Sequence, residues 1–187
     1  NDPNAFVNHR IGLCHLKLGN DKLAVKYLEE SIKLEPNHEN SWLALIDFLI
    51  ETNDYFKAKY YVNKSLQSNS DSRELWKKSA LIHFHLNFYM ETSVACETTI
   101  NLGDHNADIW TLWVDSLMLT DDWQRALEIG QKALQFHHKN PSFLFRLAGC
   151  KYRLGNKSEA FHIFDKIKNN IKIPRNIKHL FTELIKI

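Results

Sequence analysis

The sequence predicts an all-α fold, a stacked solenoid of five helix–turn–helix repeats closed by a C-terminal capping helix. Three observations predict it. Trp42, Trp76 and Trp110 recur at intervals of 34 residues, and a rare side chain that returns at one period marks a repeated unit. Apolar residues within a unit fall at helical spacing, as Trp42, Leu45, Ile46 and Leu49 do, so that they form one stripe. Residues that accept left-handed backbone or cap a helix return between the stripes, at Gly19-Asn20, Asn53-Asp54, Asn87, Asp121-Asp122 and Gly155-Asn156. Two-residue alternation never runs beyond a few positions, so strands are not expected.

Residues 1–4 read as the tail of a preceding repeat, because Asp2-Pro3-Asn4 parallels Glu35-Pro36-Asn37 at the close of the first unit. Further repeats are therefore expected N-terminal to this chain. The first repeat, 5–38, carries Ile11-Gly12, His15, Ala24, Leu28 and Pro36. The second, 39–72, carries Trp42, Leu45, Leu49, Ala58 and Val62. The third, 73–106, keeps Trp76 and Ala80 but has Thr92 and Cys96 on its second helix. The fourth, 107–140, carries Trp110, Trp113, Leu117, Ala126 and Gly130. The fifth, 141–173, carries Leu144, Leu147-Ala148, Ala160 and Phe164. Ala24, Ala58, Ala126 and Ala160 let paired helices approach closely, where a large side chain would overpack the contact by roughly 1–3 kcal/mol. Pro174 can open a last helix over 174–187, since its missing N–H costs nothing in a first turn. Ile177, Leu180, Phe181, Leu184 and Ile185 make an apolar face that would cover the final repeat.

Over residues 5 to 174 this register resembles the tetratricopeptide repeat (TPR) family, whose pattern is Trp-x2-Leu-Gly-x2-Tyr, then Ala-x3-Phe, then Pro. Asn8 stands where that pattern has Trp, and Thr92 and Cys96 stand at its Ala and Phe. The resemblance implies a right-handed α-α superhelix whose first helices line a concave, ligand-binding groove. Carried onto this chain, the groove takes His9 and Lys17 from the first repeat and Asp47 from the second. It takes Glu74, Lys77 and Phe84 from the third, Asp108 and Asp115 from the fourth, and Phe145, Tyr152 and Arg153 from the fifth, with Arg146 beside them. Asp47, Glu74, Asp108 and Asp115 would make its centre acidic, with Lys17, Arg146 and Arg153 toward the ends. The expected ligand is a protein segment or peptide with a basic centre and apolar anchors. A TPR subtype that grips the C-terminal carboxylate of chaperone tails with Lys and Asn is not matched. Its positions hold His9, Leu13, Ala44, Glu74 and Lys78 here.

The remaining signals favour a binding module over an enzyme. Cys14 and Cys150 share a repeat position four units apart, and Cys96 replaces a core Phe, so all three thiols are expected as small core residues. Unpaired cysteines suit a reducing cytoplasm. His83 and His85 point to different faces of a helix, and His137 and His138 suit a helix C-terminus, so no metal or cofactor is expected. There is no Gly-rich phosphate loop, zinc helix or nucleophile elbow. A net charge of only +2 does not point to nucleic acid, the nearest candidate being Lys166, Lys168, Lys172, Arg175 and Lys178. No apolar run reaches the roughly 20 residues needed to span a membrane. The leading expectation is a non-catalytic protein-interaction scaffold. The alternatives are the substrate-recruiting arm of a multidomain glycosyltransferase or peptidase and, behind it, an RNA-binding helical repeat.

Overall fold

Five residues in left-handed backbone break the chain into helical pairs: Gly19 (φ 70°), Asn53 (58°), Asn87 (61°), Asp121 (59°) and Gly155 (91°). Glycine has no Cβ to clash there, and Asn and Asp tolerate the region better than other side chains. The computed structural model describes residues 4–171, 175 and 177–182, and among these it contains ten α-helices and no strand. The first helices of the pairs are α1 (Ala5–Lys17), α3 (Glu39–Glu51), α5 (Arg73–His85), α7 (Ala107–Leu119) and α9 (Pro141–Arg153). The second helices are α2 (Asp21–Leu34), α4 (Tyr55–Ser68), α6 (Tyr89–Asn101), α8 (Trp123–Phe136) and α10 (Lys157–Ile167).

Local chemistry sets these boundaries. Asn4, Asp54, Ser72, Asp122, Asn140 and Asn156 each accept a backbone N–H from the first turn of the helix they precede. Such a cap satisfies a donor that has no partner inside the helix. Pro141 opens α9, where it gives up no intrahelical bond.

The chain packs as two compact units, residues 1–87 and 88–187, which divide at the turn of the third repeat. In the first unit each helix packs on the next, and α3 also touches α1 and α5. Its core joins Leu28 and Ile32 of α2 to Trp42, Leu45, Ile46 and Leu49 of α3, Ala58 and Val62 of α4, and Leu75 and Ile82 of α5. The Trp42 indole N–H donates to the Pro36 carbonyl at 2.8 Å, which ties α3 to the loop before it. In the second unit α6 to α10 pack in sequence and α7 touches α9, around buried Trp110, Trp113, Val114, Met118, Phe143, Phe145 and Phe164.

Two expectations need correction: that Trp76 is buried as its repeat equivalents Trp42 and Trp110 are, and that all three cysteines are core residues. Trp76 is only half-buried, although its N–H donates to the Ser70 carbonyl at 2.8 Å as Trp42 does to Pro36. Cys14 is exposed while Cys96 and Cys150 are buried. Cys150 lies on α9, which packs on α7, α8 and α10, whereas α1 packs chiefly on α2 and α3, and Cys14 is left uncovered. Of the expected capping segment 174–187, the described residues include a 3-10 turn, Lys178–Phe181, beside a fully buried Ile177. The rest of that segment, and residues 1–3 of the expected leading tail, lie outside the described residues.

Trp42→Ala should therefore cost about 3–5 kcal/mol, the usual range for truncating a buried aromatic, and Trp76→Ala distinctly less. Denaturant unfolding of the two variants measures this, and an equal loss would contradict the assignment. Hydrogen exchange in Trp42→Ala should show α2, α3 and α4 loosening before α9 and α10.

Candidate functional site

The first helices of the first unit enclose a recess of about 440 Å³. Leu13 and Leu16 of α1 and Ala44 and Phe48 of α3 form its apolar lining. Asp21, Asp47, Glu51 and Thr52 supply the polar lining. Helical spacing produces this arrangement, because Ala44, Asp47, Phe48 and Glu51 fall three and four apart and so share one face of α3. Asp47 is already engaged, with one carboxylate oxygen 2.6 Å from Lys78 Nζ of α5. The Thr52 hydroxyl is turned back on the Phe48 and Leu49 carbonyls. Asp21 and Glu51 are exposed to solvent, and they are the carboxylates of this rim most open to a ligand.

The other groove candidates of this unit divide sharply. Lys17 is exposed, and Lys77 and Phe84 are half-buried. Glu74 lies 3.2 Å from Lys77 and 4.0 Å from Arg73, so its charge is largely met within α5. His9 is not a groove residue: it is buried at the α1–α3 contact, with Nδ1 3.2 Å from Ser41 Oγ. The His38 Nδ1 lies 2.8 Å from the same oxygen, and the two imidazoles sit edge to face at 5.2 Å. Ser31 donates to the Ala5 carbonyl at 2.6 Å, so its oxygen receives the Ser41 proton at 2.8 Å. Ser41 Oγ is left as an acceptor, and both histidines donate to it. A serine beside two histidines invites a nucleophile reading, but this hydroxyl is fully buried and its proton is committed. The set is a structural clasp among α1, α2 and α3.

In the second unit three sequence candidates move out of the groove and into the core. Asp115 and Arg146 form a two-bonded ion pair at 2.6 and 2.8 Å, with side chains only 4% and 2% exposed. Arg146 also donates to the carbonyl and hydroxyl of Ser142, so most of its fork is satisfied. Phe145 is fully buried and packs on Phe164 at 6.1 Å. Asp115, Arg146 and Phe145 are thus packing residues, drawn inward because α9 lies directly on α7 and α10. Asp108 is exposed in the first turn of α7, where a carboxylate favours the helix dipole. Arg153 lies 4.8 Å over the Trp123 ring and 3.6 Å from Asp121, and Lys157 lies 5.4 Å over Tyr152.

Among the described residues no group of three or more His, Cys, Asp or Glu side chains is placed to hold a metal. Burial pushes the thiol of Cys150 up to about 12, with the Asp115 charge adding to it, and raises that of Cys96 further. Neither is a nucleophile at neutral pH.

Sequence profiles described as tetratricopeptide repeat match residues 5–38 and 143–170. These two stretches are tetratricopeptide repeats. Solved structures share its fold. One is YrrB, described as a TPR protein with an unusual peptide-binding site (TM-score 0.65, 17% identity, 76% of this chain and 73% of that one). Another is MamA from Desulfovibrio magneticus RS-1 (TM-score 0.73, 18% identity, 88% and 93%). A third is pilF of Pseudomonas aeruginosa (TM-score 0.69, 17% identity, 97% and 83%). At these identities the likeness is one of fold. No curated protein sequence matches the chain.

Arg146→Met should cost about 3–5 kcal/mol, because it strands the Asp115 carboxylate in the core, and adding Asp115→Leu should recover most of the loss. A double-mutant cycle in urea measures this, and additive losses would show that the pair is not coupled. The histidine clasp makes a second prediction. Burial first, and then His38 and Arg10, lower the pKa of His9 below its ordinary 6.5. The unfolded chain then binds the proton more readily, so the stabilisation is complete above the ordinary histidine range and falls as pH drops through it. Melting of the wild type should decline from about pH 7.5 to about pH 5.5 more steeply than that of His9→Gln. Parallel curves would exclude His9 as a source of the slope.

Proposed function

We propose that this chain is a non-catalytic protein-interaction scaffold that binds an extended partner segment across the first helices of its repeats. The observation that carries the reading is the recess between α1 and α3, which combines an apolar lining with the exposed carboxylates of Asp21 and Glu51. A lysine or arginine side chain has the matching chemistry, since its stem is apolar and its head is cationic. The stem would lie against Leu13, Leu16 and Phe48 and the head would reach the rim. Lys17 and Lys77 flank the first unit with positive charge, which sets the register of a ligand whose own charges vary along its length. The peptide-binding site described for YrrB is in keeping with such a use of this fold. In the second unit Asp108, Tyr152 and Arg153 remain as ligand contacts, while Asp115, Phe145 and Arg146 do not.

Fluorescence polarisation with peptides bearing one basic residue between apolar ones tests this. Wild type should bind them in preference to acidic peptides of the same length. Asp21→Asn with Glu51→Gln should weaken binding about tenfold, roughly 1.4 kcal/mol, while Asp108→Asn leaves the first-unit contact intact. Equal binding of acidic and basic peptides, or no effect of the double substitution, would remove the recess as the site.

A further inference from the structure

The outer side of the first unit carries a surface opposite in character to the recess. Helix α4 is 14 residues long, and over that length it has three lysines, Lys57, Lys59 and Lys64, and no carboxylate. Phe56 and Tyr60 stand one turn apart on it, 74% and 60% exposed. Lys22 and Lys26 occupy the equivalent places one repeat earlier on α2, and both are exposed. The two helices are tied together, because the Tyr61 hydroxyl donates to the Glu29 carboxylate. Tyr60 in turn packs edge-on against Tyr61 at 5.1 Å and 80°. The result is a ridge of two aromatic rings held by packing and bordered by ammonium groups. Large rings this exposed are uncommon away from a contact surface, and aromatic side chains on a rigid element are the usual anchors of protein interfaces.

We propose that this ridge docks into the recess of a second copy of the chain. Both halves of the contact are present on one molecule. The ridge offers apolar rings with positive charge around them, and the recess offers an apolar lining with negative charge around it. Phe56 enters between Leu13 and Phe48, and Lys22 and Lys26 face the rim carboxylates Asp21 and Glu51 of the other copy. Lys57 is held by its own Asp54 at 2.8 Å and takes less part. Because ridge and recess are different surfaces, the contact is heterologous, and each added copy brings a fresh recess and a fresh ridge. Association therefore continues past the dimer. This inference rests on the recess being a receptor, as proposed above.

Sedimentation velocity of the purified chain over a concentration series tests it. The wild type should shift with concentration from monomer to species larger than a dimer, and added salt should reverse the shift. Phe56→Ser/Tyr60→Ser removes the ridge, and Asp21→Lys/Glu51→Lys reverses the rim. All four side chains are exposed, so both variants should keep the wild-type circular dichroism and melting. Each alone should associate at least about tenfold more weakly. An equimolar mixture of the two variants should form a dimer and stop there, because a single intact contact can form between them. A wild type that remains monomeric, or a mixture without dimer, overturns the proposal. Binding of a non-associating wild type to phosphatidylserine vesicles, lost in the ridge variant, would assign the ridge to a lipid surface and also overturn it. Basic-peptide binding by a strictly monomeric wild type would remove self-association and leave the recess standing as a peptide site.

Discussion

The approach of the two helices in the first, second, fourth and fifth pairs is the constraint on which everything else depends. Ala24, Ala58, Ala126 and Ala160 are all completely buried, each at the point where a second helix meets the first. In the first repeat the contact is tighter still. A Cβ on Gly12 would come within 2.8 Å of Leu28 Cγ and 3.3 Å of the Ala24 carbonyl oxygen, with Leu28 itself fully enclosed. Close pairing brings α3 against both α1 and α5, and so creates the wall between Leu13 and Phe48. The third repeat departs from alanine at this position. Thr92 replaces alanine, and its buried hydroxyl is satisfied by the Phe88 carbonyl at 2.9 Å, so no unpaired polar group is left inside.

Charge is distributed between internal and external use in a way that determines what the surface can bind. The groove was expected to present four inward carboxylates. Asp115 is sealed in the core, Asp47 is claimed by Lys78, and Glu74 is shared by its neighbours on α5. Carboxylates outside that expected set, Asp21 and Glu51, stay free to meet a ligand. The exposed negative charge beside the recess of the first unit thus lies at the ends of α2 and α3.

The fold was legible because periodicity survives without any single repeat matching the family pattern fully. The turn residues could be placed because left-handed backbone restricts residue choice, and each of the five turns has such a residue at its hinge. The candidate site was much less legible. Repeat position says which side of a helix a residue occupies, but not whether the neighbouring repeat supplies a partner. Asp115 with Arg146, and Asp47 with Lys78, are opposite charges 31 residues apart, three short of a full repeat. That interval places one side chain beside the other on adjacent first helices, and it was a usable signal of pairing. His9 and Ser41, 32 apart, follow nearly the same rule. Cys14 shows the converse, since residues at one repeat position differ in exposure when only one has a neighbour packed over it.

Repeat proteins are often regarded as strings of exchangeable parts, and the buried ion pair limits that freedom here. Arg146 belongs to the fifth repeat and Asp115 to the fourth, and each is enclosed by the other's helix. Splicing either repeat beside a different neighbour would bury a lone charge. The two positions must therefore vary together during descent, and any recombination of this array has to keep the fourth and fifth repeats as one inherited block.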